Sequence, residues 1–224
     1  PSSGERVRVR GLFPFGNDSM ADIIHILNPG RGLYSFDLKT KSSQPVIFKD
    51  SANNKTEIDF SKFLGYCGPF NYGFLFTAVS REREVLYLLR TGSREAHQQL
   101  TLPAHTKNDF YALYVPDLKR LFLKGKYGTG NITYQFANDE WIRSPNPLDS
   151  IPWSHIHYNK KDQGFWVVSE KQLIHYSKDF RLIHTYTPAE GLPDIDIYSL
   201  IVDTQGNIWF NTDRSIHLLN PATG

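Results

Sequence analysis

Short runs of alternating apolar and polar residues, separated by clusters of Gly, Pro, Asn and Asp, recur along the chain. Alternation of this kind is typical of half-buried strands joined by tight turns. Towards the carboxy terminus the pattern predicts strands over 155–158, 165–169, 173–176, 182–186, 197–202, 207–212 and 216–219. Further upstream it predicts strands over 22–27, 33–38, 45–48, 73–79, 85–90, 98–102, 110–115, 120–124, 132–136 and 140–142. The chain is therefore expected to be built from strands alone.

Two tryptophans measure the period of this pattern. Trp166 and Trp209 each stand in the second strand of a unit, 43 positions apart. The stretch Asp203-Thr204-Gln205-Gly206-Asn207 precedes Trp209, and Lys161-Asp162-Gln163-Gly164 is its weaker counterpart before Trp166. One four-stranded propeller blade takes roughly 40 to 50 residues. The spacing predicts consecutive blades, and Phe122 stands at the same position of the preceding unit.

The predicted fold class is all-β, a β-propeller of about five four-stranded blade-like units or an incomplete piece of a larger propeller. The whole chain is expected to form one propeller domain or propeller fragment. Its units are expected over 12–48, 63–102, 108–143, 153–187 and 191–224. Residues 1–11 include an alternating segment that we expect to close the ring, because an open sheet edge invites association. The alternative is that missing blades lie beyond Gly224 and that another copy caps the open edges, as a homodimer.

Composition narrows the class of protein further. Aromatic residues make up 14% of the chain, which favours strands. The net charge of +2 gives no field that would gather nucleic acid, so we expect no nucleic-acid partner. The lone cysteine, Cys67, excludes an internal disulfide and is expected to be a small buried residue. The first residues contain neither an initiator Met nor a signal segment, and we expect the sequence to be a piece of a longer protein.

The last unit resembles a known repeat. The segment Gly191-Leu192-Pro193-Asp194, the strand 198–203, the turn Gly206-Asn207-Ile208-Trp209 and the tail 219–224 are together similar to the two-component regulator propeller repeat. The unit before it matches in part, and the stretch 32–40 looks like the outer-strand segment of that family. Asn211-Thr212 and Ser215-Ile216 depart from the family pattern, which bears on the number of blades and on ring closure.

The resemblance implies a function. Such repeats build the extracytoplasmic sensor regions of hybrid histidine kinases, commonly from Bacteroidetes that detect polysaccharide fragments. It therefore implies a non-catalytic periplasmic module of an inner-membrane protein, with an oligosaccharide ligand and with transmembrane and kinase regions downstream in the same chain. No cofactor and no metal are expected. The alternatives are a propeller lyase or hydrolase acting on polysaccharide, and a scaffold that binds nothing.

The residues of the repeat are expected to be structural. Trp166 and Trp209 are predicted to pack between adjacent blades, since large aromatic side chains fill the space between sheets. Asp203 is predicted to accept hydrogen bonds from the turn behind it. Gly164, Gly206 and Asn207 are expected at chain reversals, where Gly and Asn tolerate positive φ.

Candidate ligand contacts are sought in the connections between strands, because rim loops vary while blades persist. Exposed aromatic and basic side chains there suit an acidic or neutral sugar. The candidates are Trp153, Trp141, Arg31, Lys171 and Arg214.

Other groups with chemical potential are explained more simply as structural residues. His155 and His157 share one face of a predicted strand, a spacing compatible with metal ligation, but no third ligand is placed by the sequence. Asp194 and Asp196 are expected to cap a turn rather than to act as an acid-base pair. No motif of a serine hydrolase, a zinc protease or a phosphate-binding loop occurs, and the fragment is predicted not to be an enzyme.

Overall fold

The computed structural model describes residues 23–28, 31–60, 65–70, 73–103, 112–124 and 130–221. Within these ranges the chain consists of β-strands, connecting loops and three short 3-10 turns. The prediction of an all-β chain is confirmed. The predicted closing segment 1–11 lies outside the described residues, as do residues 125–129 between two predicted strands. The chain divides into two compact units, Pro1–Asp109 and Phe110–Gly224, and the single domain over 1–224 stays a prediction.

The first unit contains two sheets, of which one is antiparallel and the other is mixed. Its strands are β1 (Ile23–Asn28), β2 (Gly32–Asp37), β3 (Ser42–Pro45), β4 (Ile47–Lys49), β5 (Gly65–Pro69), β6 (Gly73–Ser80), β7 (Arg83–Arg90) and β8 (Glu95–Thr101). Sheet A has the order β1-β2-β3, and sheet B has the order β4-β8-β7-β6-β5. Leu27 and Leu33 of sheet A pack with Phe74, Tyr87 and Leu89 of sheet B in one core.

The strand predicted over 45–48 is divided between these two sheets, which is a difference from the sequence analysis. Residue 45 ends β3 on sheet A, whereas Ile47–Lys49 pairs in parallel with β8 of sheet B. Phe48 is then buried against Phe76 and Tyr87. Sheet B gains a fifth strand in this way, and this strand places the side chain of Phe48 in the core that the two sheets share.

The second unit contains three sheets. Its strands are β9 (Ala112–Val115), β10 (Arg120–Leu123), β11 (Ile132–Ala137), β12 (Glu140–Arg143), β13 (His155–Asn159), β14 (Gly164–Ser169), β15 (Gln172–Tyr176), β16 (Leu182–Tyr186), β17 (Ser199–Val202), β18 (Ile208–Asn211) and β19 (Ile216–Leu219). The 3-10 turns are Pro116–Leu118, Pro147–Ser150 and Pro188–Glu190. Sheets C and D have four strands each, β9 to β12 and β13 to β16, and sheet E has three, β17 to β19.

Sheet D lies between sheets C and E. One of its faces, with Phe165 and Val167, forms a core with Phe122 of sheet C. Its other face, with Trp166 and Val168, forms a second core with residues of sheet E. Strand alternation separates these two sets, since neighbouring residues of β14 point to opposite faces. The second unit is therefore a stack of three sheets.

Candidate functional site

The turn before Trp209 is organised by one carboxylate. Asp203 Oδ1 accepts hydrogen bonds from the amides of Gln205 and Asn207, both at 2.9 Å. Its Oδ2 accepts from Asn207 Nδ2 and from Trp209 Nε1, both at 3.0 Å. The hydrogen bond from the Asn207 side chain, followed by that from Trp209, lowers the pKa of Asp203 to about 2. The Asp203 carboxylate thus holds both the turn and the side chain of Trp209 in place by hydrogen bonds.

The corresponding position in sheet D is Asn159, whereas the sequence comparison placed Asp162 there. Asn159 Oδ1 accepts from the amide of Lys161 at 3.0 Å, as Asp203 does from Gln205. The turn after Asn159 is one residue longer than the turn after Asp203. Asp162 instead accepts a hydrogen bond from the amide of Gly164 and lies 3.2 Å from His175 Nε2. The extra residue shifts the two sequences out of alignment.

The two glycines of the repeat have different roles for the same reason. Gly206 is in the turn with φ of 90°, a conformation that favours glycine. In sheet D that place is taken by Gln163, with φ of 54°. Gly164 is the first residue of β14, where an added Cβ would lie 2.7 Å from His175 Nε2 and 2.8 Å from the carbonyl oxygen of Tyr176. Gly164 is required by close packing rather than by backbone conformation.

We expect Gly164→Ala to destabilise the second unit by about 2–3 kcal/mol, because the new methyl group would overlap a backbone carbonyl that cannot rotate away. Gly206→Ala is the matched control and should cost about 1 kcal/mol, since its added Cβ meets only the side chain of Lys161 at 3.7 Å and the cost is that of positive φ. Urea unfolding of both variants would test this. Equal losses for the two variants would contradict the assigned roles.

A lysine joins the two repeated turns. Lys161 Nζ donates a hydrogen bond of 2.7 Å to the carbonyl oxygen of Gln205. The turns of sheets D and E therefore lie side by side at one end of the stack. The opposite end, here called the loop end, carries the β14–β15 turn, the long connection 187–198 and the β18–β19 turn.

The loop end carries an ion pair and, on the connection that supplies its acidic partner, an exposed aromatic side chain. Lys171 Nζ lies 2.8 Å from Asp194 Oδ1. The hydrogen bond and charge of Asp194, with a smaller effect of Asp196, raise the pKa of Lys171. The connection that carries both aspartates ends at Tyr198, whose side chain is exposed and whose amide bonds to the carbonyl oxygen of Asn211. We call Lys171, Asp194, Asp196 and Tyr198 the loop surface.

Of the five predicted ligand contacts, the structure brings two to the loop end. Lys171 belongs to the loop surface. Arg214 is exposed in the neighbouring β18–β19 turn, and its Nε lies 3.6 Å from Asp213 Oδ2. Arg31 is exposed in the first unit, between β1 and β2. Sequence reasoning missed Tyr198, because it assigned this residue to a strand. The signal that could have found it is its place shortly after Asp194 and Asp196 in the same connection.

Neither of the two tryptophans predicted to contact a ligand has an exposed side chain in a loop. Trp153 is 1% exposed and packs with Ile156 and Phe165 in the core between sheets C and D, which corrects its prediction as an exposed contact. Trp153 is buried because its side chain belongs to the core that the apolar residues of both sheets form, among them Val115 and Val167. Trp141 is half-buried within β12, where its ring contacts Tyr114 and Phe136.

The three aromatic residues at the repeat position differ in exposure. Phe122 of sheet C and Trp166 of sheet D are each 1% exposed, whereas Trp209 of sheet E is 39% exposed. The ring of Trp166 stacks on His175 with centroids 4.3 Å apart, and Tyr186 lies beyond it at 5.7 Å. Trp166 thus packs between two sheets. Trp209 was predicted to pack in the same way, but its ring is exposed.

The histidines of sheet D are partly buried. Burial lowers the pKa values of His157 and His175, and burial together with the charge of Lys124 lowers that of His155. For His175 the nearby Asp162 opposes this shift. Among the described residues no group of three His, Cys, Asp or Glu side chains is placed to hold a metal ion. The buried thiol of Cys67, in β5, has a raised pKa because of its burial.

None of the helical segments in the described ranges has the length and apolar character needed to cross a membrane.

Comparison with solved structures identifies the fold. Over 99% of its length, the chain is similar to the extracellular domain of a putative one component system from B. thetaiotaomicron, with a TM-score of 0.64 and 11% identity. It is also similar, over 98% of its length, to the extracellular domain of a putative hybrid two component system from B. thetaiotaomicron, with a TM-score of 0.59 and 13% identity. The chain spans only 30% and 29% of these two proteins.

A third likeness is to the β-propeller domain of Cps50 (Swd1) from Myceliophteria thermophila. Its TM-score is 0.55 at 12% identity, and the match covers 91% of this chain and 64% of that one. At such low identities these likenesses show the fold, a β-propeller. The search of curated proteins gave no match.

The family comparison concerns one segment. Residues 191–214 match the family model described as "Two component regulator propeller". This segment includes Asp203, Gly206, Asn207 and Trp209, the residues of the carboxylate-centred turn. Residues 191–214 are therefore similar to the two-component regulator propeller repeat, and they belong to a chain with a β-propeller fold.

Proposed function

We propose that this chain is the ligand-sensing, extracytoplasmic propeller module of a two-component histidine kinase and that its ligand is an oligosaccharide. The observation that carries the proposal is the match of residues 191–214 to the two-component regulator propeller. Support comes from the structural likeness to extracellular domains of putative one component and hybrid two component systems. In this proposal the module acts from the periplasm, and transmembrane and kinase regions of the same protein receive its signal.

The loop surface is the proposed ligand contact. The exposed ring of Tyr198 offers an apolar face for a sugar ring, and the lysine and aspartates of the loop surface offer a donor and acceptors for hydroxyl or carboxylate groups. The Lys171–Asp194 ion pair is exposed, so its opening for a ligand costs little. This chemistry suits a polar ligand with one apolar face, as an oligosaccharide has.

The test is binding of a panel of neutral and acidic oligosaccharides, measured by calorimetry on the 224-residue chain. We expect at least one to bind, and we expect Tyr198→Ala to weaken its binding by about 5-fold, since a ring contact contributes roughly 1 kcal/mol. Lys171→Ala should weaken binding of an acidic ligand. Lys160→Ala removes an exposed lysine at the opposite end of sheet D and should have no effect.

Two results would contradict the proposal. One is a panel in which no oligosaccharide binds at millimolar concentration. The other is binding that neither Tyr198→Ala nor Lys171→Ala changes, because the ligand would then contact another part of the chain.

A further inference from the structure

Sheet E has an apolar face that no described residue of the second unit covers. Ile201, Trp209 and Leu218 are direct neighbours across its three strands, and they are 62%, 39% and 54% exposed. Ile216 lies beside them and is also exposed. We call these four residues the Trp209 face. Exposed apolar residues that form one continuous row, rather than single scattered side chains, indicate an interaction surface.

The corresponding face of each preceding sheet is covered. In sheet C, the ring of Phe122 meets Phe165 of sheet D, with centroids 5.1 Å apart. In sheet D, Trp166 is buried in the core shared with Leu200 and Phe210 of sheet E. The same position therefore packs against the next sheet twice within the second unit.

The residues that provide this cover also correspond to one another. Strand pairing equates Trp166 with Trp209, because each lies opposite the third residue of its first strand. The covering set of sheet D is Ile156, Phe165, Val167, Ile174 and Tyr176. The covering set of sheet E is Leu200, Ile208, Phe210 and Leu219. Each set consists of aliphatic and aromatic side chains from alternate positions of three adjacent strands, which defines the chemistry that fits the Trp209 face.

Two polar groups on the side of the Trp209 face already have hydrogen-bond partners. The indole nitrogen of Trp209 donates to Asp203 Oδ2 at 3.0 Å, which fixes the orientation of the ring. The hydroxyl group of Ser199 donates to Asn211 Oδ1 on the same face. Covering this face would therefore leave neither group without a partner, and the cost of burying polar groups stays low.

We propose that the Trp209 face is the docking surface for a further antiparallel sheet of the propeller type. That sheet presents aliphatic and aromatic side chains at the positions of Leu200, Ile208, Phe210 and Leu219. A complete second copy of the chain does not offer this surface from its own sheet E, because there the same residues are already packed on sheet D. The proposal is independent of the sensing role.

The test appends a second copy of residues 187–224 directly after Gly224. Ile201→Cys in the original sheet E reports on cover by its rate of reaction with a maleimide. Ile142→Cys, on the exposed side of β12, is the matched control. Cys67 is buried and does not contribute in the folded state. We expect the appended sheet to slow labelling at position 201 by about 10-fold or more and to leave position 142 unchanged.

A charged version of the appended sheet separates specific docking from mere attachment. With Leu200→Asp and Phe210→Asp introduced only in the appended copy, labelling at position 201 should return to the rate of the 224-residue chain. Unchanged labelling with the apolar appended copy would overturn the proposal, whether or not that copy gains strand structure. A dimer of the 224-residue chain that protects position 201 would overturn it as well, since a second copy would then be the occupant.

Discussion

Replacing Trp166 by alanine should lower the free energy of unfolding of the second unit by about 3–5 kcal/mol, whereas Trp209→Ala should cost less than about 1.5 kcal/mol. The two residues occupy the same position of the repeat. Trp166 is buried between sheets D and E, so its removal leaves a cavity in a core. Trp209 has an exposed ring, and its removal mainly takes away one hydrogen bond to Asp203.

Urea unfolding followed by circular dichroism measures both losses on the same chain. Phe122→Ala is a useful third variant, because Phe122 is buried at the same position of sheet C and should resemble Trp166 rather than Trp209. Similar losses for Trp166→Ala and Trp209→Ala would contradict the difference in cover. In a protein with a sheet docked on the Trp209 face, the cost of Trp209→Ala should rise towards that of Trp166→Ala.

Acid should destabilise the first unit through His25. This side chain is buried in β1, its Nδ1 lies 3.0 Å from Ser35 Oγ, and its ring meets Phe74 edge-on. Burial lowers the pKa of His25 from its ordinary value of 6.5 to about 4. Below pH 6.5 the unfolded chain takes up a proton that the folded chain does not, so stability falls as the pH falls from 6.5 to about 4. The total loss from His25 is about 3 kcal/mol.

The measurement is urea unfolding at several pH values between 7 and 4, on the unchanged chain and on His25→Gln. The glutamine variant has no titrating group at this position, so its stability should depend less steeply on pH in this window. His155, His157 and His175 have pKa values lowered in the same direction and remain in both proteins, so the difference in slope isolates His25. Equal slopes for the two proteins would show that His25 is not buried in its neutral form.

Much of the fold follows from local pattern. The predicted strands 155–158, 165–169 and 216–219 agree with the structure to within one residue, because alternation and turn residues determine them locally. Pairing between sheets was less predictable. The predicted strand 45–48 is divided between two sheets, since the partner of Phe48 is a core formed by residues far along the chain.

The candidate site shows the same division between local and distant causes. The turn role of Asp203 followed from its own sequence, because an aspartate before a Gly-Asn turn meets the amides behind it. The burial of Trp153 and the exposure of Trp209 depend on whether another sheet lies above them, and no residue near either tryptophan encodes that. Likewise the one-residue difference in turn length made Gly164 and Gly206 look equivalent when they are not.

Val46 is the single residue between β3 of sheet A and β4 of sheet B. Its amide bonds to the carbonyl oxygen of Leu33 in sheet A, and the next amide, of Ile47, bonds to the carbonyl oxygen of Arg94 beside sheet B, each at 2.8 Å. Because these two hydrogen bonds are made by consecutive residues, neither sheet can move away from the other without breaking one of them. The two sheets should therefore open together, and the amides of β2 and β8 should exchange with deuterium at a common rate under conditions where opening limits exchange.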